Sequence, residues 1–222
     1  VLLASCLNKK KSADTGMPGN ESRYVVLAYV TSWGISTPET SCLTHINYAF
    51  GHVADDNKGI RIDNEPRLQM IVGLKKEKPS LKVLLSVGGW GSSRFSEMAA
   101  NDSTRTAFAA DCRRVIDKFG LDGIDIDWEY PGSGTAGISF SSADKENFTL
   151  LMRDVRQAVG KDKLLTIATA ATGRYYDFRA IEPYVDYVNI MAYDMEEAPF
   201  HHAALHCSDM TEEWSCEKAV AG

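Results

Sequence analysis

The chain switches repeatedly between two hydrophobic periods, and this restricts its fold more than any other feature. Six apolar runs have strand length: YVVLAYV (24–30), THINYAF (44–50), LKVLLSV (81–87), LDGIDIDWEY (121–130), KLLTIATAA (163–171) and YVDYVNIMAY (184–193). Runs apolar on both faces suit a parallel sheet covered by helices. Helical patterns lie between them. In 66–78, Leu68, Ile71, Val72 and Leu74 form a stripe. The 103–120 pattern opens on Ser103 and closes on Gly120, and the 141–160 pattern closes on Gly160. The link between the first two strands has room only for a short helix. Strand–helix repetition builds either an open doubly wound sheet or a (β/α)8 barrel. No G-x-G-x-x-G follows the first strand, which lowers the nucleotide-binding option. With 44% hydrophobic and 24% charged residues among 222, the chain has material for one good core.

The fourth run sets Asp122, Asp125, Asp127 and Glu129 among isoleucines and a tryptophan. Alternate residues of a strand share a face. Asp125, Asp127 and Glu129 therefore point one way, and Ile124, Ile126 and Trp128 the other. In a barrel the apolar set faces the helices. The acids then climb the lumen toward the C-terminal rim, where such barrels keep their chemistry. Asp122, of opposite parity at the strand entrance, is expected to cap or anchor backbone. Acids one repeat apart in a restricted dielectric cannot all ionise cheaply, so at least one pKa rises and neighbours can share a proton. A raised carboxyl is what a general acid needs near neutral pH. Glu129, nearest the rim, is placed for that work. D-x-D-x-D can also bind calcium, but calcium loops usually set their acids on a tight turn with an internal glycine.

Asp122-Gly123-Ile124-Asp125-Ile126-Asp127-Trp128-Glu129-Tyr130-Pro131 resembles the D-G-x-D-x-D-W-E-Y-P signature of glycoside hydrolase family 18, the chitinase family, across ten positions. Ser86-Val87-Gly88-Gly89-Trp90 is similar to the family's S-x-G-G segment, and Met191-Ala192-Tyr193-Asp194 to its M-x-Y-D. Tyr29 and Phe50 match aromatics that end the first two strands. The likeness covers about 24 to 195. It implies an α/β fold, the (β/α)8 TIM barrel of the chitinase type, without a cofactor. The implied partner is an N-acetylglucosamine-containing oligo- or polysaccharide, cleaved with retention. This family uses its substrate as nucleophile: the acetamido oxygen attacks its own C1, an intramolecular step. On this resemblance Glu129 is the acid and later the base, and Asp127 holds the acetamido N–H and offsets its developing charge. Asp125 supports Asp127, and Tyr193 fixes the acetamido oxygen. Tyr29, Phe50, Trp90, Met191 and Asp194 are implied as sugar contacts. Gly88 and Gly89 allow close backbone approach there. Ser86 reads as a hydroxyl under the acid column, and Trp33 as a platform or lid anchor.

A full barrel has eight strand–helix units and about six are counted here, so 23–222 reads as a catalytic domain incomplete at its C-terminus, with an open sheet edge. Residues 195–222 read as a rim loop followed by a helix from about Thr211. Cys207 and Cys216 in that loop are the best disulfide pair. His201, His202 and His206 beside them match no standard zinc spacing. At the other end Leu3-Ala4-Ser5-Cys6 resembles a bacterial lipobox. That implies lipid on Cys6, residues 1–22 as signal remnant and flexible tether, and a cell-envelope or secreted location. The net charge of -6 argues against nucleic acid and against an anionic membrane surface as main partner. The expected function is hydrolysis of β-1,4-linked N-acetylglucosamine glycans, chitin or chito-oligosaccharides. An endo-β-N-acetylglucosaminidase acting on N-glycan cores and a non-catalytic glycan-binding protein are the alternatives.

Overall fold

The computed structural model describes residues 24–211 and 214–221. One sheet contains β1 (Leu27–Thr31), β2 (His45–Val53), β3 (Ile60–Ile62), β4 (Lys82–Gly88), β5 (Gly123–Asp127), β6 (Leu164–Ala170) and β7 (Tyr187–Met191). Six of these strands run parallel in the order β1-β2-β4-β5-β6-β7, and β3 pairs antiparallel with β2. The six parallel strands are the six apolar runs. They settle the choice left open by periodicity, because the strands follow chain order around a curl instead of reversing at a switch point.

Helices α1 (Glu65–Gly73), α2 (Phe95–Ala99), α3 (Asp102–Phe119), α4 (Asp144–Val159), α5 (Phe178–Ile181) and α6 (Cys216–Ala221) complete the described chain. The 66–78 stripe breaks at Gly73, after which Leu74–Lys76 tighten into a 3-10 turn. Asn101, not Ser103, caps α3: its side chain accepts from Thr104 N at 3.1 Å. Gly120 closes α3 in the left-handed region (φ 69°), as a C-terminal glycine does. The tail helix starts at Cys216, later than expected. β3, α2 and α5 are too short to carry a visible period.

The apolar faces of the strands pack against α2, α3 and α4. Ile124, Ile126 and Trp128 are fully buried with Phe108, Phe148 and Val155. Phe95 stacks on Trp128, with ring centres 5.3 Å apart and planes 12° apart. Each such side chain contributes about 1.5–3 kcal/mol relative to exposure. Asp122 anchors the entrance of β5 as expected: it accepts from Val83 N at 2.9 Å and pairs with Lys75 at 2.6 Å.

The sheet curls far enough for its ends to meet across the lumen. Asn189 Nδ2 on β7 donates to the Tyr29 hydroxyl on β1 at 3.2 Å. The rings of His45 on β2 and Tyr187 on β7 meet edge-on at 5.8 Å. The result is a curled half-barrel. Among the described residues, β1 and β7 are its open edges, and only Asn189 of β7 is buried.

The expected Cys207–Cys216 bond is not formed. Cys207 Sγ donates to Ser215 Oγ at 3.4 Å, and Cys216 Sγ to the Ala192 carbonyl at 3.8 Å, so the two thiols engage different partners. Cys6 and the 1–22 tether lie outside the described residues.

Candidate active site

Every residue of β5 is buried, and its two-residue period sends Asp125 and Asp127 into the lumen. Asp125 forms the base of the column. Four neutral donors from four other strands converge on it: Tyr29 hydroxyl (2.9 Å), Ser86 Oγ (2.8 Å), Thr166 Oγ1 (2.5 Å) and Asn189 Nδ2 (3.0 Å). Burial raises its pKa, and these bonds act in the opposite direction. With its oxygens so occupied, Asp125 offers no vacant ligand atom to a metal. Asp127, one repeat higher, has no hydrogen bond on Oδ1. Burial first, then the charges of Glu129 and Asp125, hold its carboxyl well above the usual range. Glu129 lies just past the end of β5. Burial raises its pKa and the Asp194 charge adds to that, against a hydrogen bond with Tyr130.

Neighbouring segments set the height of this column. Gly88 (φ 131°) has no room for a side chain, because a Cβ there would stand 1.9 Å from the Asp127 carbonyl oxygen. A Cβ on Gly89 (φ 91°) would reach the Phe50 ring at 2.8 Å. Both glycines were expected at the sugar contact. They instead lie behind the wall, letting β4 approach the end of β5. The loop after Glu129 is closed by buried Asp144, which accepts from Gly132 N (3.2 Å), Ser141 N (2.8 Å) and Ser96 Oγ (2.8 Å). The Tyr176 hydroxyl donates to the Trp128 carbonyl at 3.1 Å, fixing the residue before Glu129.

Above Asp127 and Glu129 opens a cavity of about 730 Å³. Tyr29, Phe50, Trp90, Met191, Tyr193 and Asp194 all line it, whereas Asp125 is fully buried and is not among its lining residues. Burial, with Asp127 and Glu129 nearby, raises the Tyr193 hydroxyl, so it remains a donor near neutral pH. Three aromatic wall residues were not anticipated: Tyr130, Tyr175 and Trp214. Tyr130 stacks on Tyr175 at 4.6 Å and 6°, and Trp90 meets Tyr130 edge-on at 6.3 Å. Tyr130 was legible inside the ten-residue signature. Tyr175 and Trp214 sit on loops without a period, where no local signal marks them. Trp33 is off the wall, 69% exposed and tilted over Phe50 at 6.4 Å. Two of the tail histidines face acids separately: His202 lies 3.3 Å from Asp194 and His206 3.0 Å from Glu217. Among the described residues no three His, Cys, Asp or Glu side chains gather as a metal ligand set. The site thus combines a buried acid with a raised pKa, a second carboxyl group below it, a phenol donor, and aromatic walls suited to sugar rings.

Known proteins resemble this chain in sequence and fold. The chain is 33% identical over 221 residues to probable chitinase 2 of Drosophila melanogaster, covering 87% of this chain and 45% of that protein. It is 42% identical over 137 residues to chitinase A1 of Niallia circulans, covering 56% of this chain and 20% of that one. Among solved structures, the chitinase domain of the spore coat protein CotE from Clostridium difficile superposes with a TM-score of 0.85 at 35% identity, over 90% of this chain and 60% of that one. A family 18 N-acetylglucosaminidase from Paenibacillus barengoltzii gives 0.82 at 37%, over 90% and 63%. The chain therefore spans about half the length of its curated relatives or less, and its six parallel strands form part of a chitinase-type TIM barrel. The profile of Glycosyl hydrolases family 18 matches residues 25–221, and with the acid column at the mouth of this half-barrel the chain belongs to that family.

Proposed function

We propose that the chain carries the catalytic centre of a hydrolase that cleaves β-1,4 bonds beside N-acetylglucosamine, in chitin or its oligosaccharides, with retention. The observation that carries this reading is Glu129 at the cavity mouth, its pKa raised, directly above Asp127. Glu129 in its acid form gives its proton to the glycosidic oxygen as the C1–O bond breaks. The acetamido oxygen of the same sugar bonds to C1, closing a positively charged five-membered ring. Asp127 shares the proton of the acid column with its neighbours and, in its ionised form, accepts the acetamido N–H and offsets that charge. Tyr193 donates to the acetamido oxygen and holds its angle. Glu129, now anionic, takes a proton from water, whose oxygen reopens the ring at C1 from the vacated face. The leaving sugar departs with the first proton, so charge balances over the cycle.

The test is chromophore release from an N-acetylglucosamine oligomer. Wild type turns it over, and Glu129→Gln loses at least about a hundredfold in kcat. Equal turnover by both proteins overturns the assignment; binding without turnover by either favours a glycan-binding protein. The likeness to the Paenibacillus protein, described as an N-acetylglucosaminidase, supports a second reading, release of single sugars. Product lengths from a hexamer separate the two. Lipid attachment at Cys6, with a location outside the cytoplasm, is proposed on the lipobox likeness alone. Incorporation of labelled fatty acid that Cys6→Ala abolishes is its check.

A further inference from the structure

Two adjacent tyrosines on the loop after β6 hold the chain on either side of Glu129. Tyr175 stacks on Tyr130, the residue after Glu129, with ring centres 4.6 Å apart. The Tyr176 hydroxyl donates to the carbonyl of Trp128, the residue before it, at 3.1 Å. Tyr175 lines the cavity, whereas Tyr176 is 4% exposed and does not. Any effect of Tyr176 on the reaction therefore passes through the backbone it holds.

That backbone has left the sheet. β5 pairs with β6 only as far as Ile126 opposite Ile167, and with β4 as far as Asp127 opposite Gly88. One more bond follows, from Gly89 N to the Asp127 carbonyl at 2.9 Å. The next carbonyl, that of Trp128, lies beyond both ladders, and a buried carbonyl without a donor is costly. The Tyr176 hydroxyl supplies the donor that a neighbouring strand would have given. It also stands 3.5 Å from the Ala168 carbonyl of β6, so it bridges two strands where their pairing has stopped. A peptide unit is planar, so holding the Trp128 carbonyl sets the plane that carries Glu129 N and the direction in which Glu129 leaves the strand.

Tyr176 is itself firmly held. Gly173 N donates to the Ala170 carbonyl and Tyr176 N to the Gly173 carbonyl, each at 3.2 Å. On its other side Asp177 caps α5, accepting from Ala180 N at 3.0 Å. The Tyr176 ring meets Phe148 of α4 edge-on at 5.1 Å, and Phe148 in turn packs on the Trp128 ring at 6.1 Å. Burial first, then the charge of Asp127, raises the phenol's pKa, so the hydroxyl remains a donor near neutral pH.

We infer that Tyr176 is a positioning residue for the reaction, its hydroxyl setting the height and direction of Glu129 without touching the substrate. This rests on the glycan-hydrolase reading of the site. The test is Tyr176→Phe, which keeps the ring and removes the bond. Its control is Tyr48→Phe. The Tyr48 hydroxyl also reaches two backbone carbonyls, Asp63 at 2.8 Å and Asn64 at 3.0 Å, and Tyr48 is fully buried away from the cavity. Both variants are expected to melt at a lower temperature than wild type. Only Tyr176→Phe is expected to lower kcat on the chromogenic oligomer, at least about tenfold with KM unchanged. Released from its buried place, the Glu129 carboxyl is expected to titrate at lower pH in that variant, since burial is what raises it. Carbon-13 NMR of protein labelled at its glutamate carboxyls reads this shift directly, the signal being assigned by its loss in Glu129→Gln. Equal kcat losses in the two variants, or no loss in either, overturn the positioning role, and so does a Glu129 titration in Tyr176→Phe equal to that of wild type. Absence of turnover by wild type overturns the hydrolase reading. The titration then decides the positioning role alone, upheld by a downward shift in Tyr176→Phe that Tyr48→Phe lacks.

Discussion

At position 127 a carboxylate is only 4% exposed, with Glu129 above it and Asp125 below. Its pKa is raised, so the folded protein holds this proton more tightly than the unfolded chain does. The sign of the linkage follows: the group's contribution to stability is complete below the ordinary carboxylate value of about 3.9 and is lost as pH rises through the folded value. Asp127→Asn removes that loss. We expect it to unfold at a higher temperature than wild type at pH 8, by about 1 kcal/mol, with the difference vanishing near pH 4, while turnover collapses. A thermal shift equal at both pH values would mean that charge is not the cause. Glu129 imposes a second signature. Its pKa is raised, so the basic limb of kcat/KM against pH is expected on the high side of the usual glutamate range.

Among the elements, β5 and its contact with β4 concentrate the geometry. Gly88 and Gly120 both take positive φ, but only Gly88 has backbone in the way. Gly120→Ala is expected to lose about 1 kcal/mol from the left-handed conformation alone, and Gly88→Ala at least twice that, because β4 must move off Asp127. Denaturant melts of the two variants give the comparison directly. The strands were legible because residues such as Ile124, Ile126 and Val83 repeat with a period that survives any tertiary context. The acid column was legible because Asp125, Asp127 and Glu129 share one face of one strand. β3 was not, since three residues carry no period. Tyr175 and Trp214 reach the wall only through the paths of their loops, and Asp144 reads as an ordinary helix-start acid until its three donors are seen. The expected Cys207–Cys216 bond rested on nearness in sequence, which does not fix where two sulfurs point.

For the whole molecule, the open edges set the pattern of stability. Amides of β4 and β5, paired on both sides and covered by α3 and α4, are expected to exchange hydrogen only through global unfolding. Those of β1 and β7 are expected to exchange through smaller openings, with protection lower by roughly 2 kcal/mol. Uniform protection across all six parallel strands would contradict that gradient. The bonds that gather at Asp125 bear on the same question. They come from β1, β4, β6 and β7 and end on one carboxylate of β5. Such ties run like spokes to a hub, whereas strand pairing runs around the rim. A wheel held by spokes keeps its curvature even where the rim has a gap. The floor of the cavity is in this way insulated from fraying at the margins of the sheet, and its shape is set by a single carboxyl group and the four side chains that reach for it.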